Sequence, residues 1–444
     1  MPVIVRATYA LSTPLFSAGT LSDQPELRLS AFKGNVRYWW RVLAWSRFRG
    51  DLTRIHEEEA KTFGSPGREG QSRVIMRLVS QSRAQVLHRG EFLVRNLRST
   101  GAVGPPVGVY YLGYGLVNAG GRHAGRVTRA ALAPPLSFTV EMLVAREKLS
   151  DAAFETLIDA LKAIGMLGGM GARSRRGYGS LVLNRLTLAS RLGAKDTMEL
   201  WHPPKSPDEL RREVARFNPD GAPRALPPYT ALSRFSRCVI VEGGTNDALK
   251  LLDSIGRELM LYRGWGLHGK VAGWPSERRF EYDYLLMRDL KEPVTTHPRR
   301  IVFGLPHNYH FSSLEERETG QSHGPGGRRN DVGRKPDQRA NRSVRPVGPK
   351  GYKVDRRASP LFIHIHMCGT TPVGVLTLLP ATFLPDGSQI LIRGPKDHYV
   401  ELEKDEAKLY EPVEGFLDRL LRRSGDPKNT PKMNIGYAAE VRWA

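Results

Sequence analysis

The order of elements along the first 190 residues constrains the fold more than any other feature. The β-branched residues Val3, Val5 and Thr8 predict a strand over Pro2–Tyr9, and Ser12 to Pro25 is a loop rich in turn formers. A helix capped by Ser30 is expected to run to about Phe48, with Val36, Trp39, Trp40 and Leu43 on its apolar side. Short β-rich stretches follow at Val74–Val79, Val107–Leu116 and Leu136–Ala145, separated by glycine and proline clusters. A second helix starts at a Ser150 cap and turns Phe154, Leu157, Ile158, Leu161 and Ile164 inward. It ends in glycines, and Ser180–Leu188 is a strand. Strand, helix, strands, helix, strand matches a ferredoxin-like βαββαβ unit better than a doubly wound sheet.

This assigns an N-terminal domain to residues 1–190. Residues 191–231 are polar and proline-rich, and they are predicted to be a linker holding a short helix over Pro207–Phe217. A second domain, 232–400, restarts with a strand at Arg237–Val241 and a helix from Asn246 to Tyr262. Further strands are expected at Arg300–Leu305, Leu361–Met367, Val373–Leu379 and Gln389–Arg393. Residues 401–444 form a C-terminal helical segment, its helix running from Pro412, at the first position, to Arg423. Within the second domain, Ser312 to Arg357 has almost no apolar residues and is predicted to be a mobile basic insertion.

Charge narrows the partners. The 67 Lys and Arg against 45 Asp and Glu leave +22, which favours a polyanion, nucleic acid first. Between Arg328 and Arg357 there are 11 Lys or Arg and 3 Asp, so this arm is a candidate nucleic-acid contact, with a solvated insertion as the alternative. Two cysteines, Cys238 and Cys368, exclude a disulfide framework or a Cys-rich zinc cluster and fit a reducing cytoplasm. No segment reaches the roughly 18 to 20 apolar residues of a membrane span, and Arg6 interrupts the apolar start, so no secretory signal is read there. The expectation is a soluble cytoplasmic protein with no membrane partner.

The strongest local signal is Gly169-Met-Gly-Ala-Arg-Ser-Arg-Arg-Gly-Tyr-Gly179. Glycines such as Gly169, Gly171 and Gly177 let backbone approach a ligand, Arg173, Arg175 and Arg176 suit phosphates, and Tyr178 offers a stacking face. A turn that merely needs glycines is the alternative. The run is no dinucleotide fingerprint, because Ser174 replaces the third glycine and a helix precedes it. On the first helix, Lys33, Arg37 and Arg41 recur every four residues and share one face. Trp39 and Trp40 point about 100° apart, and both are expected to pack inward.

Weaker signals carry less. Gly264 to Val271 meets only the glycine and lysine part of a phosphate loop, since Val271 has no hydroxyl for magnesium. His364, His366 and Cys368 alternate on one strand face, where structural roles are preferred over a metal. His307 and His310 are candidates for general acid and base in RNA cleavage, or for loop roles. No Gly-x-Ser-x-Gly elbow or His-Glu-x-x-His helix occurs, and Asp23 is a lone carboxylate. No catalytic residue, cofactor or metal is assigned.

Several of these residues together resemble a known family. Thr13-Pro-Leu-Phe16 with Gly19, Glu26-Leu-Arg28, Ser30-Ala-Phe-Lys-Gly34, Arg37-Tyr-Trp-Trp-Arg41 and Phe63-Gly-Ser65 resemble the opening of the RAMP proteins of type III CRISPR systems. The paired Trp with flanking Arg is most similar to subunit one of the type III-B (Cmr) effector complex. Gly169–Gly179 is similar to the superfamily's glycine-rich loop, and Phe303-Gly-Leu-Pro-His307 with Arg357-Ala-Ser-Pro360 to that subunit's second half. The resemblance implies an α+β protein of two ferredoxin-like, RRM-like domains in tandem. It implies a non-catalytic RNA-binding role near the CRISPR RNA 3′ end and in target RNA capture, with CRISPR RNA, single-stranded target RNA and other Cmr subunits as partners. By position, the family's RNA contacts fall on Lys33, Arg37, Arg41 and on Arg173, Arg175 and Arg176. A second glycine-rich loop is not evident in the C-terminal half, and the 312–357 insertion does not map onto the family pattern. The rival expectations are a metal-independent endoribonuclease and a pure assembly subunit.

Overall fold

The computed structural model describes residues 2–19, 21, 23–67, 70–94, 107–118, 121–190, 196–265, 270–271, 274–275, 277–290, 293–311, 341–423 and 435–443. Strand β1 (Val3–Leu11) leads to helices α1 (Leu29–Arg47) and α2 (Leu52–Phe63) and strand β2 (Val74–Gln81). A ribbon of β3 (Gln85–Leu87) and β4 (Ala131–Ala133) brackets α3 (Val107–Leu112). Strand β5 (Ser137–Val144), helix α4 (Asp151–Met166) and strands β6 (Leu181–Ala189) and β7 (Thr197–Trp201) follow. The sheet order is β2-β5-β1-β6-β7, antiparallel throughout. Without the inserts and β7 this is a ferredoxin-like βαββαβ sheet with β1 and β5 in the centre.

Strand alternation explains the layer. Along β1, Val5, Ala7, Tyr9 and Leu11 are buried while Arg6 and Thr8 face outward. Helix α1 turns Phe32, Val36, Trp39 and Trp40 into the same core, and Trp40 Nε1 donates to the Ala153 carbonyl of α4 at 3.0 Å. Ser150 caps α4 as expected, accepting from Ala153 N. The N-cap of α1 is Arg28, not Ser30, and it makes no side-chain cap bond.

A helix α5 (Pro207–Ala215) precedes the second domain. There, β8 (Arg237–Gly243) and α6 (Ala248–Arg263) are followed by β9 (Lys270–Val271), β10 (Trp274–Pro275), α7 (Glu281–Asp289), β11 (His307–His310) and β12 (Asn341–Val347). Then come β13 (Leu361–Cys368), β14 (Thr371–Leu378), β15 (Gln389–Arg393), β16 (Asp397–Glu401), α8 (Glu406–Arg423) and β17 (Ile435–Glu440). The order β13-β14-β8-β17 repeats the first sheet, so β8-α6-β13-β14-α8-β17 is a second ferredoxin-like set. Residues 1–260, 361–381 and 415–444 form one compact unit, holding both of these sheets. Residues 261–360 and 382–414 form another, with the sheet β11-β12-β15-β16. No helix among the described residues is long and apolar enough to cross a membrane.

Several sequence expectations fail for physical reasons. Val107–Leu116 was expected as a strand but begins as helix α3, which crosses α6 at glycines: a Cβ on Gly108 would lie 1.9 Å from the Asp253 carbonyl oxygen. Asp253 Oδ1 also accepts from Val109 N at 3.0 Å. Arg299–Phe303 curls into a 3₁₀ turn instead of a strand, because the buried Asp283 carboxylate accepts from Arg299 N and Arg300 N at 2.9 and 2.8 Å. Helix α8 starts one turn and a half before Pro412, at an Asp405 side chain that accepts from Ala407 N and Lys408 N. Helix α2, absent from the sequence reading, starts at Asp51, whose side chain accepts from Arg54 N.

The 191–231 stretch is more than a connection, since β7 extends the first sheet and Trp201 Nε1 donates to the Leu183 carbonyl at 2.7 Å. The C-terminal segment adds strand β17 to its helix. In the basic insertion, residues 312–340 lie outside the described residues, whereas Asn341–Val347 is a strand between β11 and β15 with Val344 fully buried. Gly266 to Gly269 of the phosphate-loop-like run also lie outside them.

Candidate nucleic-acid interface

The cationic face of α1 exists but is already partnered. Glu59 on α2 is buried and takes Arg37 Nε on one oxygen, while Arg41 binds both oxygens at 2.5 and 2.8 Å. Burial pushes the Glu59 carboxyl up, but hydrogen bonds from Arg41 and Arg37 outweigh it and hold the group below the usual carboxylate range. The Lys33 ammonium donates to the Val74 carbonyl at 3.3 Å, and burial, then Arg37, pull its pKa down. The predicted spacing thus brings the three cations together, yet one acid cancels part of their charge. Trp39 and Trp40 are both buried, Trp39 against Phe362 of β13 with ring centroids 5.7 Å apart.

The glycine-rich loop is a packed joint within its compact unit. Gly171, Gly177 and Gly179 have φ of +77°, +83° and +62°. A Cβ would lie 2.6 Å from the Phe16 carbonyl oxygen at Gly171, 2.4 Å from Leu252 Cδ1 at Gly177 and 2.1 Å from the Met170 carbonyl oxygen at Gly179. A Cβ on Gly169 would lie 2.9 Å from the Gly179 carbonyl oxygen. The glycines therefore admit the protein's own backbone and side chains, and the expected approach of a ligand is not what requires them. Thr13 Oγ1 donates to the Gly177 carbonyl at 2.7 Å and accepts from Ser180 N at 3.0 Å. Ile363 N of β13 donates to the Arg175 carbonyl at 3.1 Å, which ties the loop to the second sheet.

Tyr178 corrects a second expectation. Its ring is fully buried, and its hydroxyl donates to the Val109 carbonyl at 2.7 Å, so no face is left to stack on a base. Burial, aided by Asp253 and Tyr110, pushes its pKa far up. The arginines remain nearer the surface. Arg173, exposed and at φ +62°, donates to the Tyr114 carbonyl, and Arg175 lies over the Phe362 ring at 4.6 Å and donates to Tyr38 Oη at 3.2 Å. Arg176 is half-buried and bridges to Ile363.

His364 and His366 are fully buried. A carbonyl only accepts, so each ring donates from Nδ1, His364 to Gly168 at 2.6 Å and His366 to Gly165 at 3.0 Å. Burial depresses their pKa values to about 3 and about 4, and burial raises the Cys368 thiol to about 12. Among the described residues, no group of three or more His, Cys, Asp or Glu is placed to hold a metal. His307 and His310 stand three apart on β11, with burial alternating along it, so they face opposite sides and form no acid and base pair.

Three sequence-distant arginines that the sequence reading missed, Arg212, Arg234 and Arg442, line one groove. Their positions give no local signal, since only the fold brings them together.

The family model of the RAMP superfamily matches residues 8–182, from inside β1 to inside β6. Over these residues the chain is similar to the RAMP superfamily. It is similar to the CRISPR system Cmr subunit Cmr1-1 of Pyrococcus furiosus, with 28% identity over 230 residues covering 50% of this chain and 62% of that protein. Cmr1-2 of the same organism is 38% identical over 65 residues, 15% of this chain and 34% of that protein. The chain thus matches less than two thirds of the length of these curated relatives. Among solved structures, apo Cmr1 from Pyrococcus furiosus aligns with TM-score 0.47 and 19% identity over 93% of this chain and 96% of that one. A type III-B Cmr-beta complex bound to cognate target RNA contains a chain aligning with TM-score 0.43 and 10% identity over 94% and 100%. The match to the RAMP family model coincides with the first ferredoxin-like set, and the second set follows from this chain's own strand order.

Proposed function

We propose that the chain is a non-catalytic, RNA-binding subunit of a type III-B Cmr effector complex, placed near the CRISPR RNA 3′ end and taking part in target RNA capture in antiviral defence. Its partners are CRISPR RNA, single-stranded target RNA and other Cmr subunits. The observation that carries this reading is the similarity to Cmr1-1 over 230 residues. A net charge of +22 supports it, since phosphate neutralisation supplies most of the affinity of such proteins. Arg173, Arg175 and Arg176 are the loop's contacts to phosphate, with the glycines and Tyr178 holding the loop that presents them. Lys33, Arg37 and Arg41 contribute the charge that Glu59 leaves uncancelled.

The test is to purify the tagged protein from its native host and sequence the RNA that survives a moderate-salt wash. Spacer-containing RNAs sharing a repeat-derived 5′ tag, together with other Cmr subunits, are expected. Unrelated RNA, or none, refutes the reading.

A further inference from the structure

We propose that single-stranded RNA passes through a basic trough formed by α5, the segment 216–237 and the C-terminal strand β17, a surface separate from the α1 face and the glycine-rich loop. The inference rests on the RNA-binding reading above and names where that RNA lies. The trough, about 1190 Å³, is lined by Arg211, Arg212, Arg234, Arg237, Arg442 and Tyr437 and by only two carboxylates, Asp220 and Glu440.

Pairing separates its arginines into two groups. Arg237 donates to Glu440 at 2.7 Å and Asp418 at 2.8 Å, and Arg211 to Asp208 at 2.6 Å, so these charges are balanced within the fold. Arg234 donates to the carbonyls of Ala222 and Asp220 at 2.9 and 3.1 Å, bonds that fix the guanidinium without neutralising it. Arg212 and Arg442 are exposed. Among the described residues, no carboxylate pairs with Arg212, Arg234 or Arg442. Three such charges against the one Asp220 carboxylate leave the concavity with a net positive potential that an anion relieves.

The chemistry of the lining selects the anion. Every cation in the trough is Arg, whose fork binds phosphate oxygens in pairs. Tyr437, on a strand that pairs with β8 alone among the described residues, is 47% exposed and lines the trough with these charges. Arginines for phosphates and an exposed aromatic face for a base are the requirements of a single strand bound without base-edge reading. An acidic protein segment would use the arginines but would leave the tyrosine ring without a purpose, so RNA is the better fit.

The test measures anisotropy of a labelled oligouridine with the full chain across a salt series. In R212A/R442A, two lost phosphate contacts should flatten the slope of log affinity against log salt by about 1.4, at about 0.7 per contact on a single strand. Y437A should lose affinity about tenfold with the slope unchanged, because stacking releases no counterions. Arg83 and Arg89, exposed and not part of the trough lining, give a charge-matched control, R83A/R89A, whose slope should equal that of the parent. Matching thermal melts show that the variants fold. An unchanged slope in R212A/R442A, with the parent binding, overturns the trough alone. Intact RNA binding with loss of a co-purifying acidic subunit overturns it in favour of protein docking. A parent chain that binds no RNA refutes the RNA-binding reading itself, and the trough with it.

Discussion

The buried pair His364 and His366 makes acid stability a quantitative test of how the C-terminal end of α4 meets β13. Both rings are neutral in the fold, bonded through Nδ1 to Gly168 and Gly165, and each Nε2 is buried with no hydrogen-bond partner among the described residues. An unfolded His takes up a proton below about pH 6.5, whereas burial holds the folded values at about 3 and about 4. Stability is therefore fully present above pH 6.5 and falls as pH drops toward the folded pKa values. At pH 5, about 1.5 units below the unfolded pKa, each His costs about 2 kcal/mol and the pair about 4 kcal/mol.

The comparison is between the parent and H364Q/H366Q, which keeps a donor for each carbonyl and removes the titration. Urea unfolding followed by tryptophan fluorescence at pH 7 and pH 5 gives both differences. His297 is depressed by burial in the same direction, and Asp159 and Asp283 are raised by burial and act oppositely. These groups occur in both proteins and cancel. The parent should lose about 4 kcal/mol more than the variant between the two pH values. Equal losses would refute the assignment of these rings as buried neutral donors.

Replacing Gly179 by Ala should destabilise the fold by about 3 kcal/mol or more in chemical denaturation, since the Cβ would sit 2.1 Å from the Met170 carbonyl oxygen at φ +62°. Gly34→Ala should instead stabilise by about 0.5 to 1 kcal/mol, because Gly34 lies within α1 and a Cβ there meets nothing within 4 Å. Tyr178→Phe should cost about 1 kcal/mol by removing one of two hydrogen bonds to the buried Val109 carbonyl, which still accepts from Gly113 N at 2.8 Å, and should leave the salt slope of RNA binding unchanged. Replacing Arg173, Arg175 and Arg176 together by Ala should flatten that slope by about 2; an unchanged slope would remove the loop from the RNA path.

What was legible in the sequence follows the range of the forces involved. Strands β1 and β5 and helix α4 repeat their apolar residues at their own period, so a local window suffices. Helix α3 was misread because its β-branched and aromatic residues favour a strand, and only the approach of α6 to Gly108 decides otherwise. Strand β12 was lost in a basic, proline-containing stretch, because its buried residues, among them Arg342 and Ser343, do not look apolar. The glycine-rich run was recognised as unusual from local composition. What its glycines accommodate, Phe16, Leu252 and Met170, includes a residue of the second domain that no local pattern reveals.

The same reasoning applies to charge. The excess of cations is a sum over the chain, whereas binding depends on which cations the fold leaves unbalanced. Arg37 and Arg41, regular in spacing and prominent in sequence, meet Glu59 from a helix the sequence reading did not see. Arg212, Arg234 and Arg442 have no common spacing, yet they face one trough without a carboxylate partner among the described residues. A periodic cationic face on a helix is where a protein can most easily build its own counter-charge, one turn of a neighbouring helix away. Cations gathered from separate elements, with no carboxylate partner among the described residues, are the ones a fold holds ready for an external polyanion.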